Sequence, residues 1–177
     1  LDISENMLDF AKKDISNKDN VNFIKDDFLT YDFGDNKFDL VFISFVINYF
    51  TDLDIFFKKV RSLLTKGNAS KKIKGGSAII TMLHPVRTSS KRNKYDEYTH
   101  KDYLLDGTYL SNFLSDKEEL RLIKYNFKHI VQSSINSGLK LINWDEPKIT
   151  KTNNVSSEEF EFYSKNESIF IIELNRK

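Results

Sequence analysis

The stretch that decides the fold is Phe38–Ile43 (FDLVFI), followed further along by Gly75–Leu83 (GGSAIITML). Both runs are almost continuously apolar, as is typical of strands that are covered on both faces in a parallel sheet. Between them, Asp52 can cap a helix that runs to about Leu64 with its apolar residues on one face. This order of strand, helix and strand predicts right-handed parallel α/β units.

The segment before this stretch continues the same pattern. Leu1–Ile3 resembles the end of a buried strand, and Ser4 can cap a helix whose apolar residues recur at helical spacing up to Ile15. Val21–Ile24 is a short strand candidate, and a loop over residues 26–37 follows it. Because the chain opens in the middle of a strand-to-helix junction, we expect residues to be missing upstream.

The second half of the chain is less regular. Residues 86–115 are polar and rich in Tyr and Lys, and we interpret them as a lid or an insertion. A helix is predicted over about 127–137, with Gly138 as its C-terminal cap. Leu139–Trp144 and Ser168–Leu174 are predicted strands, and we expect them to pair antiparallel because the loop between them shows no helical pattern.

Composition excludes several classes of protein. The 177 residues contain 27 Lys and Arg against 26 Asp and Glu, so the net charge of +1 argues against nucleic-acid binding by bulk electrostatics. The sequence has no cysteine, which excludes disulfides, thiolate metal sites and cysteine nucleophiles. No apolar run approaches the roughly 20 residues that cross a bilayer. We expect a single cytoplasmic domain over residues 1–177 without membrane contact, and the sequence does not indicate an oligomeric state.

The order of these motifs resembles the class I S-adenosylmethionine-dependent methyltransferases, specifically the small-molecule, methyltransferase type 11-like group. The resemblance extends along most of the chain and is weakest in the segment beyond His84. It is carried by six stretches: Leu1–Leu8, Lys25–Phe28, Phe38–Val41 with Ser44–Phe50, Leu63-Leu64 with Gly75–Ile80, His84-Pro85, and Asp145–Pro147.

The resemblance implies a Rossmann-like α/β sheet that is mostly parallel and has an antiparallel C-terminal strand. Two features depart from the family pattern. The first strand and the glycine-rich loop after it are absent from this sequence, as expected for a domain that is incomplete at its N-terminus. Residues 66–74 are an insertion where the family has a tight turn.

The resemblance also implies S-adenosyl-L-methionine as the cofactor and assigns residues to it. Asp2, with Ile3 beside it, would accept the ribose hydroxyls at the end of a strand. Asp27 would accept the adenine amine while Phe28 packs on the ring, although Asp26 is an alternative carboxylate. Ser44 and Phe45 would line the methionine part with their backbone groups. The simpler interpretation is that Asp2 serves the helix dipole and Asp27 is a plain loop residue.

Two residues are candidates for catalysis at the acceptor. His84 ends a strand and could take a proton from an acceptor hydroxyl or amine, although a lone histidine is more often structural. Tyr49 lies on the loop where the acceptor would approach, or packs on Phe50 and Leu53. The lid residues Tyr95, Tyr98, Tyr103 and Tyr109 could line the acceptor pocket. No histidine has a partner at metal-ligand spacing, so no metal site is predicted.

The expected function is methyl transfer to a small-molecule acceptor. The alternative is a non-catalytic methyltransferase-like module with a binding or regulatory role. A nicotinamide-dependent oxidoreductase would share the acidic residue after the second strand, but Phe38–Tyr49 and the double glycine fit it poorly. A nucleic-acid methyltransferase is a further alternative, although the basic residues around Lys71 and Arg87 are more typical of solvated loops.

Overall fold

The computed structural model describes residues 1–15, 19–68, 70, 74–92, 98–100, 103–111, 120–152 and 155–176. It divides into two compact units, residues 1–36 and residues 37–177. Tyr95 and part of the predicted insertion over residues 66–74 lie outside the described residues. None of the helices in the described ranges combines the length and apolar character that crossing a membrane requires.

Helices and strands are each numbered in chain order along the described chain. The α-helices are α1 (Glu5–Asp14), α2 (Leu53–Leu63), α3 (Pro85–Ser89), α4 (Phe127–Asn136) and α5 (Ser157–Lys165), and Ile47–Tyr49 is a 3₁₀ helix. The strands are β1 (Leu40–Ser44), β2 (Ser77–Leu83), β3 (Ser90–Arg92), β4 (Tyr98–His100), β5 (Gly107–Ser111), β6 (Leu120–Lys124), β7 (Leu139–Asp145) and β8 (Ile169–Arg176).

In the first unit, helix α1 begins where the sequence predicts. The Ser4 hydroxyl accepts a hydrogen bond from the Met7 amide at 3.4 Å, as an N-cap residue does. The chain before the helix forms a parallel bridge with the segment that follows it, Asp2 opposite Lys25. The strand predicted at Val21–Ile24 is therefore not formed, because only this single bridge, at Lys25, joins the two described segments.

In the second unit, four strands form one sheet in the order β1-β2-β8-β7. Strands β1 and β2 are parallel, and β8 runs antiparallel to both β2 and β7. The predicted antiparallel pairing of the last two strands is confirmed. Because β8 runs opposite to both of its neighbours, β7 is parallel to β2 and β1. The three strands therefore end at the same edge of the sheet, which we call the carboxyl edge.

Helices α2 and α4 have the predicted positions and caps. The Asp52 carboxylate accepts from the Ile55 amide at 2.9 Å at the start of α2, and Gly138 follows α4 with φ 82°. Phe56 and Phe57 of α2 are fully buried. Each buried phenylalanine contributes roughly 1.5–3 kcal/mol of hydrophobic stabilisation.

The expectation that β1 is covered on both faces is not met within this structure. Ile43 is buried, but Leu40 and Phe42, on the opposite face, are 56% and 62% exposed. Alternate side chains of a strand face opposite ways, so one face of β1 is packed on the core and the other is not. Apolar composition alone did not reveal this difference between the faces.

The double glycine before β2 has a steric cause. A Cβ atom on Gly75 would lie 2.3 Å from the Arg176 carbonyl oxygen, and one on Gly76 would lie 2.5 Å from the Phe38 carbonyl oxygen. Both neighbours are backbone atoms, which cannot move aside cheaply. Two strands therefore pass this corner at a distance that only glycine permits.

The predicted lid has more regular structure than expected. It contains most of the short helix α3 and the strands β3, β4 and β5. Strand β3 pairs antiparallel with β4, and β5 pairs antiparallel with β6, which lies beyond the predicted lid. The Asn48 side-chain amide donates to the Ile123 carbonyl at 2.8 Å, which ties β6 to the 3₁₀ helix at the carboxyl edge. Helix α5 was not predicted. None of the side chains described in this helix is buried, and six of its nine residues are polar, so the segment lacks the apolar stripe that indicates a helix in a sequence.

Candidate functional site

The first unit brings Asp2 and the loop of Asp27 onto adjacent segments. The Asp2 amide donates to the Ile24 carbonyl at 3.0 Å, and the Asp26 amide donates to the Asp2 carbonyl at 3.2 Å. The loop that carries Asp27 therefore leaves the parallel bridge at the same end as Asp2. This is the placement that binding of one nucleoside by both carboxylates requires.

Each of these carboxylates uses one oxygen to hold its own loop. Asp2 Oδ1 accepts from the Ser4 amide at 2.8 Å, and Asp27 Oδ1 accepts from the Leu29 and Thr30 amides at 2.7 and 3.3 Å. Within the described part of the chain, no hydrogen-bond donor contacts either Oδ2. The loop-structural interpretation therefore accounts for one oxygen of each residue and leaves the other for a ligand.

The other predicted residues of this unit differ in exposure. Ile3 is 70% exposed, so its side chain adds little packing within the protein. Phe28 is half-buried and meets Phe33 edge to face, with ring centroids 6.4 Å apart. Asp26 Oδ1 accepts from the Asp27 amide at 2.7 Å, so the alternative carboxylate also turns towards backbone.

In the second unit, Ser44 and Phe45 lie at the carboxyl edge. Thr81 Oγ1 of β2 donates to Ser44 Oγ at 3.1 Å, and the Phe45 amide donates to the Thr81 carbonyl at 2.9 Å. Phe45 has φ 54°, and it alone among the described residues other than glycine has positive φ. A bulky residue in this left-handed region is strained, and such strain is concentrated at functional sites.

The 3₁₀ helix presents Tyr49 to solvent. Its side chain is 53% exposed, whereas the neighbouring Asn48 and Ile47 are buried. Two hydrogen bonds hold the 3₁₀ helix in place. One is the bond from Asn48 to Ile123, and the other is donated by the Tyr125 hydroxyl to the Phe50 carbonyl. Tyr49 is therefore an exposed phenol on a fixed segment, not a core residue.

Two of the four lid tyrosines have described surroundings. The Tyr103 hydroxyl accepts from the Phe127 amide at 3.2 Å and so caps α4. The Tyr109 hydroxyl is buried without a hydrogen-bond partner among the described residues. Burial, with Tyr49 as a second cause, raises the Tyr109 pKa, so this phenol stays protonated and can donate to a ligand. The side chains of Tyr95 and Tyr98 lie outside the description.

His84 follows β2 and is 97% buried, given its relative exposure of 3%. Its Nδ1 accepts from the Val86 amide at 3.2 Å, and its Nε2 lies 3.0 Å from Oε1 of Glu146. A neutral imidazole has one donor and one acceptor nitrogen, so Nε2 carries the proton and donates it to Glu146. Both ring nitrogens are occupied, and no lone pair is free to take a proton from an acceptor.

Glu146 was noticed in the sequence only as part of a motif after the sixth-strand region. It follows β7 at the carboxyl edge, and its side chain is 48% exposed. No periodicity could reveal the contact with His84, because it joins residues 62 positions apart. Within the described residues, no group of three or more His, Asp or Glu could hold a metal ion.

Comparison with known proteins agrees with this architecture. Residues 1–69 match the methyltransferase domain family. A putative S-adenosylmethionine-dependent methyltransferase from Listeria monocytogenes has the same fold, with a TM-score of 0.77 and 18% identity over 99% of this chain and 78% of that one. No curated protein matches the sequence.

Two further structures extend the comparison. An S-adenosylmethionine-dependent methyltransferase from Mesorhizobium loti gives a TM-score of 0.77 and 17% identity, covering 98% of this chain and 77% of that one. The glycopeptide N-methyltransferase MtfA, solved with S-adenosyl-L-methionine, gives 0.52 and 14%, covering 87% and 64%. The chain thus has the fold of class I S-adenosylmethionine-dependent methyltransferases.

Proposed function

We propose that this protein transfers the methyl group of S-adenosylmethionine to a small-molecule acceptor. The observation that carries the proposal is the β1-β2-β8-β7 sheet with polar groups gathered at the carboxyl edge, where open α/β sheets bind ligands. When bound, S-adenosylmethionine supplies an electrophilic methyl group on a sulfonium. The protein has to bind, align and desolvate the reactants.

The free carboxylate oxygens of Asp2 and Asp27 fit the nucleoside. The ribose hydroxyls and the adenine amine are hydrogen-bond donors, and both Oδ2 atoms are acceptors without a described partner. We assign Asp2 to the ribose and Asp27 to the adenine amine, with Ile3 and Phe28 packing beside them. Oδ1 of each residue holds its loop, so the carboxylates are fixed before the ligand arrives.

Ser44 and Phe45 are assigned to the methionine part. The Phe45 amide pairs with the Thr81 carbonyl, and the left-handed conformation of Phe45 then turns the chain sharply as it leaves β1. This strained turn at the end of the strand supports placing the methionine part of the ligand there. The bond from Thr81 to Ser44 fixes the neighbouring hydroxyl.

On the acceptor side, we retain Tyr49 as a substrate-contacting phenol and give His84 a different role from the one predicted. Tyr49 is exposed on a fixed 3₁₀ helix, and it is one of the causes that raise the pKa of Tyr109, whose buried hydroxyl has no hydrogen-bond partner among the described residues. His84 cannot act as the base while both ring nitrogens are engaged. Its role in this proposal is to position Glu146.

The proposal is tested by calorimetry of the full natural protein with S-adenosylhomocysteine and with NADH. Micromolar binding of the first and no heat with the second is the expected result. Binding of NADH alone would instead support an oxidoreductase, and no heat with either ligand would support the non-catalytic module. Tyr49→Phe should leave S-adenosylhomocysteine affinity unchanged, because Tyr49 is assigned to the acceptor.

A further inference from the structure

The His84–Glu146 pair leaves a negative charge at the carboxyl edge. Because Nδ1 of His84 accepts the Val86 amide, the imidazole bears its single proton on Nε2 and is neutral. Donation from a neutral imidazole orients the Glu146 carboxylate without cancelling its charge. In the described part of the chain, no lysine or arginine forms an ion pair with Glu146.

The carboxylate is held firmly. The His84 ring is packed edge to face on Phe127 and Phe170, with centroids 5.7 and 5.8 Å away, and is almost fully buried. Its Nε2–H therefore has one fixed direction. Oε1 of Glu146 is engaged by His84, and the Glu146 side chain as a whole is 48% exposed.

An exposed indole shares the aromatic surroundings of this pair. Trp144 lies near the end of β7, two residues before Glu146. The indole packs on Phe127 and Phe170, at 6.1 and 6.0 Å, the same two rings that enclose His84. It nevertheless remains 54% exposed, which is unusual for the largest apolar side chain.

A fixed anion next to an exposed aromatic ring is the chemistry that recognises an organic cation. The carboxylate supplies charge-assisted hydrogen bonds, and the ring supplies a cation–π contact and apolar cover for the attached carbon chain. We infer that Glu146 and Trp144 form a binding subsite for the ammonium group of an amine-bearing methyl acceptor, with His84 as the positioning residue. This inference rests on the proposed function only for the identity of the ligand as the acceptor.

The subsite can be observed directly, because Trp144 is the single tryptophan of the chain. Its indole N–H signal in a nitrogen–proton NMR spectrum reports on this place alone. Propylammonium chloride is titrated into the full natural protein as the probe, with potassium chloride at equal ionic strength as the reference. 1-Propanol has a chain of the same length without the charge.

We expect propylammonium to give a saturable shift of the indole signal. We expect 1-propanol to bind at least about tenfold more weakly by the same titration. Glu146→Gln keeps the shape and removes the charge, and should weaken propylammonium binding about tenfold. Glu158→Gln makes the same charge change at an exposed helical residue and should have no effect. His84→Phe should weaken binding by less than Glu146→Gln, since it frees the carboxylate but leaves its charge.

Equal shifts with both probes, or undiminished propylammonium binding in Glu146→Gln, would overturn the inference. Calorimetry with S-adenosylhomocysteine on the same samples separates the two proposals. If S-adenosylhomocysteine binds and propylammonium does not, the ammonium subsite is wrong and methyl transfer stands. If propylammonium binds in the Glu146-dependent way and S-adenosylhomocysteine does not, the subsite stands and the proposed function fails.

Discussion

Nε2 of His84, at the end of β2, lies 3.0 Å from Oε1 of Glu146, which follows β7, so one hydrogen bond joins two parallel strands separated in the sheet by β8. The bond fixes the tautomer of the histidine and the direction of the carboxylate. In our proposal, the charged group that faces the methyl acceptor is therefore Glu146, whereas the sequence had indicated His84.

The tautomer of His84 is the first testable consequence. Nitrogen NMR of the three histidines should give His84 the Nε2-protonated pattern, with Nδ1 as the acceptor of the Val86 amide. Glu146→Gln should retain this pattern, because an amide oxygen can still accept from Nε2. A His84 protonated at Nδ1 would contradict the assignment and restore its candidacy as the base.

Gly76→Ala should destabilise the protein by about 1–3 kcal/mol, because the new Cβ would lie 2.5 Å from the Phe38 carbonyl oxygen. Urea denaturation measures the change. Gly107→Ala is the control, since its Cβ would meet only the Lys124 Cε at 3.7 Å. If the two variants lose equal stability, the corner between β1 and β2 is not as tight as the structure has it.

The strain at Phe45 predicts that glycine at this position gives a more stable protein than alanine. Phe45→Gly and Phe45→Ala both remove the ring, but only glycine adopts φ 54° without cost. The glycine variant should therefore be more stable than the alanine variant by about 1 kcal/mol, the reverse of the usual order. A more stable alanine variant in thermal or urea unfolding would mean that this backbone conformation is not retained in solution.

Tyr125 predicts a pH dependence at alkaline pH. Burial raises the Tyr125 pKa to about 12 from the ordinary value of 10.0, with Asp106 and Asp52 as further causes. The folded state binds this proton more tightly than the unfolded state, so its stabilising contribution is complete below about pH 10 and is lost as the pH rises towards about 12.

The stability advantage of the natural protein over Tyr125→Phe should therefore shrink between about pH 10 and about pH 12. The variant also loses the hydrogen bond to the Phe50 carbonyl, but that loss is present throughout the lower range. Urea denaturation of both proteins across the series measures the difference. A difference that stays constant would show that Tyr125 titrates normally in the folded protein.

Local signals in the sequence were enough to predict the scaffold. Ser4 and Asp52 cap the starts of their helices and Gly138 follows the end of α4, as their residue types dictate, and the strands of the sheet lie where apolar runs occur. Helix α5 was not predicted because most of its residues are polar and form no apolar stripe. The exposure of Leu40 and Phe42 escaped because a run of apolar residues does not show which face is covered.

The site was harder to predict than the scaffold, because its geometry depends on contacts between distant residues. That Asp2 and Asp27 leave adjacent segments at one end could be expected from strand order. The engagement of both His84 nitrogens and the buried Tyr109 hydroxyl depend on tertiary packing. The left-handed conformation of Phe45 contradicts its residue type, so no local rule could have found it.

We propose above all that carboxylates of this protein, foremost that of Asp2, bind the nucleoside of S-adenosylmethionine. The most direct measurement is calorimetry of S-adenosylhomocysteine binding to the full natural protein, Asp2→Asn and Asp9→Asn. Asparagine can still accept from the Ser4 amide, so Asp2→Asn keeps the loop and removes only the charge, while Asp9 is an exposed residue of α1 paired with Lys12. The account predicts about tenfold or greater loss of affinity in Asp2→Asn, about 1.4 kcal/mol, and none in Asp9→Asn. Equal affinity in all three proteins would contradict it.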